Sequence, residues 1–173
     1  MKDHFNRLVQ SEKVIVSPVS WSVPEGDALK MVWSSPLEID GVTEEGLFLR
    51  GICYQDRPDE AVTLQLEIGQ IGLRTRIPLW RLDWRPISQV HNNNKLLATR
   101  YSLPRRLKGC HFHPFHMNWD KDAGKMLHGN LPAAHELDEK INSFSNLLEF
   151  FEKKCHIIGV TNMPEPNWSR KLI

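Results

Sequence analysis

Three segments in the first half of the chain, GLFLRGICY (46–54), AVTLQLEIG (61–69) and LRTRIPLW (73–80), follow one another across short polar or glycine-bearing turns. Strands of about eight residues joined so closely favour an antiparallel meander. LKMVW (29–33) reads as a further strand. VIVSPVSWSV (14–23) is β-branched but broken by proline, so one or two strands near a sheet edge are expected there. The residues up to about Gln10 have weak helical character. From Ala133 to Lys154 the chain has neither proline nor glycine, and Leu137, Ile141, Phe144, Leu147, Leu148, Phe151 and Cys155 recur at helical spacing. The expected fold is therefore α+β: a single domain over 1–173, a mainly antiparallel sheet and a C-terminal amphipathic helix (133–154) packed on one face. IIGV is expected to add a short strand, and about 160–173 a loosely packed tail.

A chain of 173 residues can bury a core of its own without staples. No apolar run approaches the roughly 18 residues a membrane span requires, so no membrane partner is expected. The opening MKDHFNRLVQSEK places acids and amides where a secretory leader would be apolar, which points to a cytoplasmic protein. Cys53, Cys110 and Cys155 are odd in number and widely spaced, with no CxxC pair, so reduced thiols are expected.

Charge is segregated along the chain. Residues 71–110 carry nine Lys or Arg against one acid, Asp83, for a net +8, whereas the remainder, with 13 basic and 20 acidic residues, is −7. Such asymmetry suggests a phosphate-bearing or acidic partner. Arg74 and Arg76 alternate with apolar residues and should stand together on one side of the sheet, and Thr63, Gln65 and Glu67 should form the wet face of their strand. Trp80, Trp84 and Tyr101 are interleaved with Arg81, Arg85, Arg105, Arg106 and Lys108. Aromatic faces that stack bases, beside cations that neutralise phosphates, are what single-stranded nucleic-acid binding needs. The plainer alternatives are indoles buried in the core and arginines paired with the protein's own acids.

The second cluster is GCHFHPFHMNWD (109–120). His111 and His113 share one face of a short strand until Pro114 interrupts it, and His116 follows. These imidazoles could hold a divalent metal, zinc above all, with Cys110 or Asp120 completing the site. Without a metal they could act as acid and base on a ribose phosphodiester, since histidine titrates near neutrality. They could also decorate a solvated strand face. HFHPFH has the HxHxxH spacing of the metallo-β-lactamases, but Phe115 stands where that family has Asp, and too little chain follows for its remaining ligands, so that family is excluded.

Over residues 109–158, GCHFHPF, a later LP and NLLEFFEKKCHI resemble the GxHxH, LP, FLxxCxI layout of small uncharacterised prokaryotic proteins from toxin–antitoxin or phage-defence neighbourhoods. The resemblance implies a setting in microbial conflict and no particular activity. Two functions stay open on the sequence. One is engagement of nucleic acid or nucleotide phosphate by the basic surface, with the histidines as an RNase-like or metal-assisted centre and no cofactor required beyond such a metal. The other is a non-enzymatic inhibitor or antitoxin that docks on a protein partner.

Overall fold

A computed structural model describes residues 1–69, 76–88, 90–119, 124–137 and 141–169. In chain order its elements are α1 (Lys2–Gln10), β1 (Lys13–Ile15), β2 (Lys30–Ile39), β3 (Val42–Tyr54), β4 (Val62–Gly69), β5 (Arg76–Trp84) and β6 (Val90–Asn92). They continue with α2 (Lys95–Arg100), β7 (Arg106–Lys108), β8 (His111–His113), α3 (Phe115–Asn118), α4 (Gly124–Leu127), β9 (His135–Glu136), α5 (Phe144–Cys155) and β10 (Ile157–Ile158). The fold is α+β. Eight strands form one sheet in the order β10-β1-β2-β3-β4-β5-β8-β9, antiparallel except where β1 meets β10, and β6 pairs with β7 as a separate ribbon.

One face of the sheet is apolar. Met31, Trp33, Leu37, Leu47, Leu49, Val62, Leu64, Leu66, Trp80, Leu82, Trp84 and Phe112 are buried there, and Phe151 of α5 meets Trp80 with ring centroids 4.8 Å apart. Phe5 and Leu8 bring α1 into the same core. Lys13 is also fully buried, its ammonium donating to the carbonyls of Leu8, Val9 and Ser11 at the end of α1. Burial pulls its pKa down to about 8.

The other face is polar, and it is covered as well. Gln65 and Glu67, expected on a wet face, are 8% and 2% exposed. A bulge in β5 makes this possible: Leu66 pairs with Trp80 and Glu67 with Pro78, so one residue of β5 is skipped. Arg76 and Arg81, five residues apart, would otherwise point to opposite faces. With the bulge both stand on the polar face. Pro78, which cannot donate to a ladder, occupies this irregularity.

Two expectations about extent are corrected. The helix does not run over 133–154: His135–Glu136 is a strand on β8, and α5 begins only after the N-cap Ser143, whose hydroxyl accepts from the Asn146 amide. The preceding backbone is claimed by tertiary partners, with Ala133 N–H donating to Asn118 Oδ1 and Ala134 N–H to Asn93 Oδ1. Those bonds outweigh helical propensity. In 14–23 only the first two residues join a strand, and the proline-bearing remainder runs as irregular chain. The segment after β10 contributes Val160 and Met163 to the core, while Trp168 stacks edge-on against Phe144. Residues 170–173 lie outside the described set, as does the 73–75 portion of the expected third strand. Among the described residues no helix is long and apolar enough to cross a membrane. The three thiols are free.

Gly51 pairs with Trp33 across β2 and β3, and the indole lies over it so closely that an added Cβ would overlap the ring. Gly51→Ala should therefore cost about 1–3 kcal/mol in urea denaturation, the usual range for overpacking. Gly69→Ala, whose Cβ would meet Arg76 Cγ at 3.9 Å, should change the midpoint little.

Candidate metal centre

The strand registers build the polar face in rows. Ser34, Arg50, Gln65, Arg81 and His113 align across five strands, and Thr63, Asp83 and His111 align in the next row. Asp83 is the hub. Its Oδ1 accepts from Thr63 Oγ1 at 2.8 Å, and its Oδ2 accepts from Arg81 Nε at 2.7 Å. The same Oδ2 lies 3.3 Å from Nε2 of both His111 and His113. Burial alone would raise the Asp83 pKa, but the two imidazoles beside it and the charge of Arg81 hold it well below the usual carboxylate range.

A third imidazole closes the cluster. His91, on the β6–β7 ribbon, stacks on His111 with centroids 5.1 Å apart and meets His113 edge-on at 4.7 Å. One ligating atom from each of His91, His111 and His113 lies within 4.8 Å of the others. The ribbon is pinned here by Asn93, whose buried amide donates to the carbonyls of Pro104 and Ala134.

The hydrogen bonds fix which nitrogens are available. His111 Nδ1 must donate to the Gly109 carbonyl 2.8 Å away, which leaves Nε2 as the free lone pair in the neutral ring. That is the arrangement by which a backbone carbonyl orients a metal-ligating histidine. Arg81 Nη2 donates to His113 Nε2 at 2.9 Å, so the neutral His113 carries its proton on Nδ1, which is buried with no acceptor. His91 Nε2 is likewise buried without a hydrogen-bond partner among the described residues. Each such orphan costs about 1–3 kcal/mol. Burial pushes the His113 pKa down to about 4, with Asp83 opposing and Arg81 reinforcing, and burial also lowers that of His91, reinforced by His111 and Arg81.

The other sequence candidates are placed elsewhere. Pro114 ends β8 and starts α3, so His116 turns away: it is exposed, sits 6.3 Å from the Tyr101 ring, and its carbonyl accepts from the Tyr101 hydroxyl. Cys110 Sγ accepts from the Arg85 backbone N–H, outside the cluster. Asp120 and Arg74 lie outside the described residues.

Trp80 and Trp84 are 2% and 0% exposed, and Trp84 Nε1 donates to the Ile141 carbonyl, so neither offers a face to a base. Arg76 is paired with Glu67 at 2.6 Å, and Arg50 also approaches that carboxylate at 3.0 Å without hydrogen-bond alignment. Arg85 lies over the Trp84 ring and donates to the carbonyls of Asp59 and Asn142. Arg105, Arg106 and Lys108 are exposed. Because His91 pairs with Leu107, which is buried, Arg106 and Lys108 project from the opposite side of the ribbon. The imidazoles and the free cations therefore do not share one surface.

The sequence reading missed His91. It stands in QVHNNNKL, where three asparagines indicate a turn, and its partners are some twenty residues away, so no local spacing marks it. Compared with protein-family models, curated proteins and solved structures, the chain has no match.

His113 is held neutral in the fold at a pH where the unfolded chain would be protonated. In chelator-treated protein, stability should be complete above about pH 6.5 and should fall as pH drops towards 4, by an amount on the order of 3 kcal/mol for this one group. His91 adds to the loss in the same direction. His113→Leu should be less stable at pH 7 but should lose about one proton's worth of slope between pH 6.5 and 4, as read by urea denaturation across that range.

Proposed function

We propose that this protein binds one zinc-class divalent ion through His91, His111 and His113, with Asp83 as the fourth ligand. The observation that carries the reading is the convergence of three imidazoles, one ligating atom from each lying within 4.8 Å of the others, with His91 Nε2 buried and unpartnered among the described residues. Supporting it, the two 3.3 Å separations from Asp83 Oδ2 to the histidine Nε2 atoms match the edge of a tetrahedron with metal–ligand bonds of about 2.0–2.1 Å. Imidazole and carboxylate ligands suit zinc and its neighbours in the Irving–Williams order. Arg81 is the competing cation, since its guanidinium already neutralises Asp83 and donates to His113. Binding through His113 Nε2 and Asp83 Oδ2 requires it to swing aside.

An ion held by one histidine from the ribbon and two from β8 would fasten the ribbon's inner side to the sheet. The outer side presents Arg106 and Lys108, with Arg105 just before them, and none of the three pairs with a carboxylate among the described residues. This favours a second, linked reading in which the ribbon docks on a phosphate-bearing partner such as single-stranded nucleic acid. With three cations, log affinity should fall with log salt at a slope of roughly 2 for a single strand. An unchanged affinity in Arg105→Gln/Arg106→Gln/Lys108→Gln would remove this second reading.

Metal analysis of protein prepared without a histidine tag tests the first reading. One zinc per chain is expected, absent from His91→Ala and His113→Ala and retained by His116→Ala, and the cobalt form should show tetrahedral d–d absorption. Wild-type protein that takes up no metal in a zinc or cobalt titration would refute it. Arg81→Gln should bind zinc several-fold more tightly, because the ion then displaces no guanidinium.

A further inference from the structure

On the opposite face of β8 a cleft of about 170 Å³ opens between α1, α3, β9 and the end of α5. Its floor is apolar, formed by Phe112, Pro114 and Phe115 over the buried Trp80. Its rim is basic, with His116, His135, Lys154 and His156, and the amides of Asn6 and Gln10 face it from α1. Among the described residues no Asp or Glu lines it. We infer that this cleft is a binding site for a small organic anion built on a single flat ring, an aryl carboxylate or aryl phosphate.

Three features support the assignment. First, an apolar floor with a few convergent polar groups is the usual make-up of a ligand site, and the volume, below the roughly 300–1,000 Å³ of drug-sized ligands, suits one ring and its charged substituent. Second, the rim charges come from separate elements. Lys154 and His156 stand at the C-terminal end of α5, where the helix dipole alone accounts for cations, but His135 comes from a strand and His116 from a different helix. They are close enough for His135 and Lys154 to reinforce the burial that lowers the His116 pKa. Four basic side chains with no acid among the described lining residues favour an anion over an apolar floor. Third, His156 adopts a left-handed conformation, φ 52°, at the C-cap of α5, a position that glycine fills most easily. The chain accepts that backbone cost while keeping an imidazole on the rim.

The site is separate from the metal centre. β8 alternates, so His111 and His113 face one side of the sheet and Phe112 the other.

Titration of ¹⁵N-labelled protein with phenyl phosphate, benzoate, benzyl alcohol and inorganic phosphate tests the inference. Either or both aryl anions should give saturable shifts at Phe112, His116 and Lys154, and their ranking identifies the preferred head group. Benzyl alcohol and inorganic phosphate should each bind at least tenfold more weakly than the better aryl anion. Lys154→Gln, at an exposed position, should keep the native spectrum and weaken the better anion at least threefold. Equal binding of benzyl alcohol, an unchanged affinity in Lys154→Gln, or no saturable shift with either anion up to about 10 mM, beyond which affinity is under roughly 3 kcal/mol, would overturn it.

Discussion

A carboxylate 8% exposed on the covered face of a β-sheet has to be compensated, and the polar side of this protein is arranged around that requirement. Desolvating an ion costs several kcal/mol unless charge and hydrogen bonds replace the lost water. Asp83 has both: a hydroxyl from Thr63 and a guanidinium from Arg81, with two imidazole nitrogens 3.3 Å away. Arg81 is thereby committed to the interior. His113, wedged between the acid and the guanidinium, is kept neutral, and a neutral imidazole is the form that can ligate a metal. The same compensation recurs two rows away, where Glu67, 2% exposed, is met by Gln65, Arg76 and Arg50. Two cations of the basic block, Arg76 and Arg81, are thus the counter-charge of buried acids, whereas Arg105, Arg106 and Lys108 stay exposed.

That arrangement depends on where the sheet breaks its own periodicity. A strand with strict alternation cannot put Arg76, Pro78, Arg81 and Asp83 on one face, yet the bulge in β5 does so while keeping Trp80, Leu82 and Trp84 on the apolar side. The larger hydrophobic burial is untouched. Each of those indoles removes on the order of 150–250 Å² from water, so the apolar face supplies the stability that lets the polar face carry unpaired nitrogens.

Much of the sheet was legible in the sequence because period-two alternation and short turns are local signals. The meander, its α+β class and an amphipathic helix near the C-terminus follow from them. What local pattern could not supply was competition for the same residues. The sequence ahead of α5 has a helical hydrophobic period, but two buried asparagines and β8 take the backbone hydrogen bonds of residues 133–136 first. Trp80 and Trp84 look like a stacking platform when read beside their arginines, and burial leaves neither an exposed ring face. The histidines divide in the same way. His111 and His113 were correctly paired by strand alternation, whereas the turn at Pro114 carried His116 off, and His91 was brought in by a tertiary contact that no spacing encodes.

Strand β8 is only three residues long, yet it separates two chemically distinct environments. On its polar side His111 and His113 meet His91 over a buried acid, and positive charge there is already supplied from within. On its apolar side Phe112 floors a cleft whose four bases have no acid among the lining residues described. The contrast is electrostatic. The first environment has an anion balanced by a displaceable cation, which makes it receptive to a stronger cation, while the second gathers a lysine and three imidazoles with no acid among the described lining residues, which favours an anion. Alternation along HFH is enough to keep the two apart, because each side chain can reach only the face to which its Cβ points.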